Sequence, residues 1–124
     1  YRKTQNKRIT KQMKAGQRYI KHMYKTLIKQ AEHFGIENRL IQCLEETGEL
    51  QQAICKCIRT QKEDSTCAVS KEQAVEMLEE EIADTEICLE QIKHLLSLNK
   101  TKIEAIKQVK LERTKERMKE HGRS

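Results

Sequence analysis

The sequence predicts an all-α fold, a four-helix-type bundle in one domain (residues 1–124) that assembles with copies of itself. Three observations lead there. The 124 residues include no proline and four glycines, so little in the chain interrupts a long helix. Aromatic residues make up 3% of the composition and charged residues 35%, a balance foreign to β sandwiches and barrels. Apolar residues recur at steps of three, four and seven, the helical period. A chain of 14.6 kDa supports one core rather than two. Charges turned inward on several helices leave little apolar surface to bury in a single chain, hence the expected homodimer or homotetramer.

Helix one carries Ile9, Met13, Ile20, Met23, Leu27, Ala31 and Phe34 on one side and is basic on the other; residues 1–30 form this basic N-terminal helix or arm. His33-Phe34-Gly35 closes it, with Gly35 as C-cap and His33 as a helix-end residue. Helix two is expected from about Glu37 to Arg59, with Leu40, Leu44, Ile54 and Ile58 giving its apolar direction. At about 100° per residue, Glu46 falls between Ala53 and Cys57 on the flank of that arc, with Glu45 and Glu49 at its edge.

Residues Gln61 to Ser70 read as a solvated loop that ends on Ser70 as N-cap, with Gln73 completing a capping box. Helix three then runs to about Leu98 on the arc of Ala74, Leu78, Ile82, Leu89, Ile92 and Leu96. Glu81 falls inside this arc and Asp84 on its rim, whereas Glu79, Glu80, Glu86 and Glu90 project to the opposite, solvated side. After a short connection at Asn99 to Thr101, helix four extends to about Glu120. Its buried face begins with Ile103 and Ile106 and continues by period through Lys110, Arg113 and Arg117, so that cations inherit the inward direction.

No apolar run reaches the roughly 18 residues needed to span a bilayer, and no signal-peptide pattern opens the chain; a soluble, cytoplasmic protein without a membrane partner is expected. The five cysteines (Cys43, Cys55, Cys57, Cys67, Cys88) lie mostly within helical patterns and read as reduced structural thiols. Cys55 and Cys57 point about 200° apart on a helix and so do not share a zinc ion.

The net charge of +6 hides a division. Residues 1–31 carry ten Lys or Arg and no acid, residues 32–98 fifteen acids against six bases, and residues 99–124 nine bases against four acids. Such a split suits a polyanionic substrate held between a metal-charged centre and basic side chains. The alternative is nucleic acid bound through the basic first helix, without enzymatic activity; the regular amphipathicity of that helix favours packing instead. A purely structural coiled-coil scaffold would prefer Leu or Ile where Glu46 and Glu81 interrupt the apolar pattern.

Glu46 with Glu49, and Glu81 with Asp84, form two i,i+3 pairs on two helices, and both pairs intrude on the apolar stripes. A carboxylate turned toward a core requires a cation, a donor or a proton, because burying the isolated charge is costly. Two antiparallel helices bearing such pairs can converge on one or two hard cations. Oxygen-only ligation points to Mg²⁺, with Mn²⁺ able to take its place, and Mg²⁺ held this way completes its shell with water and substrate phosphates. Lys110, Arg113 and Arg117 would neutralise those phosphates.

Phe34-Gly35, Leu44-Glu45-Glu46-Thr47-Gly48-Glu49-Leu50, Glu80-Glu81-Ile82-Ala83-Asp84 and Lys110-Leu111-Glu112-Arg113 together resemble the MazG-like family of all-α nucleoside triphosphate pyrophosphohydrolases. The likeness covers about residues 30–118 and is nearest to the short, single-domain versions of phages and bacteria. The resemblance implies that Glu46, Glu49, Glu81 and Asp84 coordinate Mg²⁺ and that a nucleoside triphosphate is cleaved to monophosphate and pyrophosphate. Glu46 or its neighbour Glu45 would accept the proton of the attacking water. The sequence departs from the family's pattern in four respects: a longer interval from Leu50 to Glu80, Arg39 where Gln is common, Thr114 for a frequent Asn, and few of the aromatics that often stack on the base.

Overall fold

The structure, a computed structural model, describes residues 2–15, 18–62 and 66–122, with the backbone alone for 13–15, 18 and 19. It contains α1 (Arg2–Ala15), α2 (Arg18–Phe34), α3 (Ile36–Thr60), α4 (Lys71–Leu95) and α5 (Lys100–His121). Among the described residues there is no strand, so the all-α class holds. The expected first helix enters as two elements, α1 and α2, and residues 16 and 17 between them lie outside the described residues. Among the described residues no helix is long and apolar enough to cross a membrane.

Gly35 alone separates α2 from α3. Its φ of 82° lies in the left-handed region, which a Cβ would disfavour. Its N–H closes α2 on the Ala31 carbonyl at 2.9 Å, and its own carbonyl accepts from Arg39 N–H at 3.1 Å to open α3. Ahead of α4 the capping box forms as expected: Gln73 N–H donates to Ser70 Oγ (3.1 Å) and Ser70 N–H to Gln73 Oε1 (2.9 Å). Asn99 caps α5 by accepting from Lys102 N–H at 2.9 Å.

The sequence reading carried α4 to Leu98, but the helix stops at Leu95. The N–H of Leu98 donates to the Lys93 carbonyl (2.9 Å) and that of Ser97 to the His94 carbonyl (3.1 Å), the paired bonds of a Schellman termination. Ser97 occupies its left-handed position with φ 51°, where glycine is usual.

α3 and α4 pack antiparallel along most of their length. Arg39 bonds Gln91, Glu46 meets Glu81 and Asp84, and Cys57 Sγ donates to the Ala74 carbonyl at 3.4 Å, so rising numbers on one helix meet falling numbers on the other. Small residues, Ala53 on α3 and Ala74 on α4, are buried in this seam and let the backbones approach. α2 lies across the C-terminal half of α4. Gln91, fully buried, donates through Nε2 to the Leu27 carbonyl of α2 (3.1 Å) and accepts at Oε1 from Arg39 Nη1 of α3 (3.3 Å), tying three helices at one point. Glu32 of α2 pairs with His94 of α4 at 3.0 Å. The guanidinium of Arg39 also lies 4.6 Å from the centre of the Phe34 ring.

The core of one chain is small. Among the described residues its fully buried apolar members are Ala31, Ala53, Ala74 and Cys88. The apolar side chains expected to face it on helix two, Leu40, Leu44, Ile54 and Ile58, are exposed, Leu44 by 74%. Ile82, Leu89 and Leu96 of α4 are exposed as well. A compact monomer of this mass presents about 6,900 Å² of surface; this chain presents 10711 Å².

Candidate metal centre

The seam between α3 and α4 runs through carboxylates as well as alanines. One turn of α3 places Glu46 inward, and the facing turn of α4 places Glu81 and Asp84, so that one oxygen from each lies within 4.8 Å of the others. Opposed ligands of Mg²⁺ stand about 4.2 Å apart, at ~2.0–2.1 Å each, so small side-chain rotations bring this set to bonding distance. Gln42, one turn before Glu46, holds its Oε1 through Nε2 at 2.8 Å. Glu46 Oε2, Glu81 Oε2 and Thr85 Oγ1 are buried and find no hydrogen-bond partner among the described residues. Orphaned buried oxygens of this kind are uncommon and costly.

The electrostatics agree with the geometry. Burial, then the charges of Glu49, Asp84 and Glu46, push the Glu81 carboxyl up to about 7, with a hydrogen bond to Glu49 in support. Asp84 is raised by burial and by Glu46, Glu49 and Glu80. Among the described residues no lysine or arginine forms an ion pair with any of the four acids. An all-oxygen donor set, two orphaned carboxylate oxygens and uncompensated negative charge together fit a hard divalent cation.

Of the sequence-derived ligands, Glu46, Glu81 and Asp84 converge. Glu49 is exposed and borders the site; it reaches Glu81 but stands outside the three-oxygen cluster. Glu45 is exposed and stands outside the three-oxygen cluster. Glu79, Glu80 and Glu86 are exposed as expected, whereas Glu90 is half-buried and pairs with Lys93 (2.8 Å) and Lys100 (3.8 Å). Cys88 is buried beside the site and burial pushes its thiol up, in keeping with a structural role; none of the five cysteines is in a disulfide.

Among the described residues, Lys110, Arg113 and Arg117 form no ion pair with the four acids of the site. They are exposed on α5, which among the described residues bonds a neighbouring helix from its first turn, where Lys100 Nζ donates to Tyr24 Oη at 2.6 Å. The helical period does give α5 an inward side, yet along it only Ile103 is half-buried, whereas Ile106, Lys110, Arg113 and Arg117 are exposed. Lys110 and Arg113 instead border a shallow apolar depression with Ile106 and Val109.

Sequence reasoning passed over Gln42, Thr85 and Lys56. Each lies on the site's side of its helix at a helical step: Gln42 four before Glu46, Thr85 four after Glu81, Lys56 seven after Glu49. Lys56 lines a cavity of about 290 Å³ with Glu49, Gln52 and Glu81. Extending the wheel from the acids to their same-face neighbours would have found all three. The chain matches no protein-family model, no curated protein and no solved structure.

Proposed function

We propose that this chain is a divalent-cation-dependent nucleoside triphosphate pyrophosphohydrolase, with Mg²⁺, or Mn²⁺ in its place, held by Glu46, Glu81 and Asp84 and bordered by Glu49. The observation that carries the reading is the convergence of these carboxylates, two with orphaned buried oxygens, in the seam between α3 and α4. The motifs' resemblance to MazG-like enzymes supports the substrate. When bound, the cation supplies charge neutralisation and polarisation of phosphoryl oxygens.

The chain's own residues do the rest. Gln42 fixes the rotamer of Glu46 through its bond to Oε1. Glu46, inward where Glu45 is exposed, takes the proton of the water whose oxygen attacks the α-phosphorus. The bond from the α-phosphorus to the α–β bridging oxygen breaks, and pyrophosphate leaves with the electron pair.

The active species in this reading is a homo-oligomer, a dimer at least. The excess of exposed surface over a compact monomer, about 3,800 Å² per chain, is more than the roughly 1,000–2,500 Å² that each partner of an obligate dimer covers, so there is ample surface for such an interface. The exposed stripe of Leu40, Leu44, Ile54 and Ile58 supplies the apolar part of such an interface. Assembly is also the route by which Lys110, Arg113 and Arg117 of one copy would reach the phosphates held by another.

Pyrophosphate release from a panel of ribo- and deoxyribonucleoside triphosphates, with Mg²⁺ or with chelator, tests the activity. Release that needs the cation and disappears in Glu81→Gln supports it. Absence of release from every triphosphate, or release indifferent to the cation, rejects it.

A further inference from the structure

A second cavity, of about 670 Å³, opens at the C-terminal end of α3, walled by Lys56, Arg59, Lys62 and the segment 66–69 that leads into α4. It shares Lys56 with the cavity that contains Glu49 and Glu81. One lysine therefore stands between a carboxylate-lined compartment and a cation-lined one. Positions 49, 52, 56 and 59 follow one another on one side of α3, so the two compartments form a line along a single helix.

Among the described residues, Lys56, Arg59 and Lys62 have no acidic partner: the seven ion pairs involve other side chains. The bland account of cations at a helix C-terminus is that they complement the dipole. That account covers about half a charge on the α3 end, whereas three full positive charges line the cavity. The N-terminus of α4, begun by Ser70 immediately after the segment 66–69, contributes a further partial positive charge of similar size. Glu63 and Asp64 follow Lys62 in the sequence and lie outside the described residues; the described lining, with three cations and no acid, is of the sign that suits a phosphate group.

We infer that this basic cavity is a subsite for the terminal diphosphate of the substrate: Lys56 spans the acidic and basic compartments, while Arg59 and Lys62 hold the β and γ phosphates that leave as pyrophosphate. The inference rests on the pyrophosphohydrolase reading for its substrate and on the cavity's own charge for its ligand chemistry. From Glu49 to Lys56 the helix rises about 10 Å, a distance that a phosphate tail and a lysine side chain together bridge. Arginine and lysine are the donors phosphate recognition uses, the guanidinium in fork geometry and the ammonium as a point charge.

The test is calorimetric titration of the full chain with inorganic pyrophosphate and with a nucleoside monophosphate, both in chelator. Four proteins are compared: wild type, Arg59→Ala with Lys62→Ala, Arg59→Lys, and a control carrying Lys115→Ala with Lys119→Ala on exposed α5. Arg59 and Lys62 are themselves exposed, so their removal leaves the helix pair intact, and thermal melts verify it.

The expected result is pyrophosphate binding to wild type that weakens roughly tenfold or more in the cavity double variant, persists largely in Arg59→Lys and is unchanged in the control. Monophosphate affinity should not follow these changes. Equal affinity in wild type and cavity variant, equal losses in cavity and control variants, or no pyrophosphate binding overturns the subsite. Cavity-dependent pyrophosphate binding in a protein that hydrolyses no triphosphate would leave the subsite standing and remove the enzyme reading. Hydrolysis with cavity-independent pyrophosphate binding would do the reverse.

Discussion

Glu46 and Glu81 face each other across α3 and α4, each with one buried oxygen that no described residue satisfies. Two carboxylates so placed repel when both are ionised, and burial raises the cost. A fold retains such an arrangement at the expense of stability, and stability recovered by a ligand is then a measurable signature.

Replacing Glu81 by Gln removes one of the charges while keeping the shape. In chelator the variant should melt at or above the wild-type temperature at neutral pH, because repulsion with Glu46, Glu49 and Asp84 is relieved. Mg²⁺ should raise the wild-type midpoint and leave the variant unmoved. Paired thermal scans with and without cation check both.

The Glu81 carboxyl is raised from 4.5 to about 7 in the folded chain, so the native state keeps a proton that the unfolded state releases. Its contribution to stability is therefore fully present below about 4.5, declines as pH rises, and is gone above about 7. The metal-free protein should lose stability over that window and level off beyond it, with a smaller slope in Glu81→Gln. Cation affinity should climb over the same window, since proton and cation compete for the same oxygens. Denaturant melts in chelator across this range are the measurement.

Gln91 joins α2, α3 and α4 through its two amide bonds. Gln91→Leu keeps most of the volume and removes both bonds, so the folded state should weaken by about 2 kcal/mol. Loss of less than a few tenths would show that the two bonds do not hold α2 in place.

Ser97 holds φ 51° at the end of α4. Ser97→Gly should stabilise the chain by roughly 1 kcal/mol, the left-handed penalty of a side chain partly offset by the glycine's freedom in the unfolded state. Ser97→Val, with a branched Cβ, should destabilise by a similar amount. Chemical denaturation of the pair reads out both signs.

The exposed stripe on α3 yields a prediction about mass. Light scattering should give twice 14.6 kDa or a higher multiple, and Leu44→Glu with Ile58→Glu should shift the protein toward the monomer and lower its melting temperature. A monomeric wild type would contradict the assembly reading.

Much of this molecule was legible in its sequence because helical signals are local. The capping box at Ser70 and Gln73, the break at Gly35 and the convergence of Glu46, Glu81 and Asp84 follow from side-chain chemistry and a period of 3.6. What a wheel does not hold is the identity of the surface that covers an arc. Leu40, Leu44, Ile54 and Ile58 form a true apolar stripe, yet the α3–α4 seam is built from Glu46, Ala53 and Cys57 beside it. The same blindness places Lys110, Arg113 and Arg117 inward on a stretch of α5 whose side chains are exposed. The end of α4 was missed for a different reason: Ser97 takes a glycine's conformation, and serine there carries no stop signal.

The most direct measurement is Mn²⁺ titration of the protein followed by electron paramagnetic resonance, in wild type, Glu81→Gln and Glu79→Gln. Saturable binding of at least one ion per chain, abolished in Glu81→Gln and intact in Glu79→Gln, is the expected result. Absence of saturable binding, or equal binding in all three proteins, would contradict a cation site at the α3–α4 carboxylates.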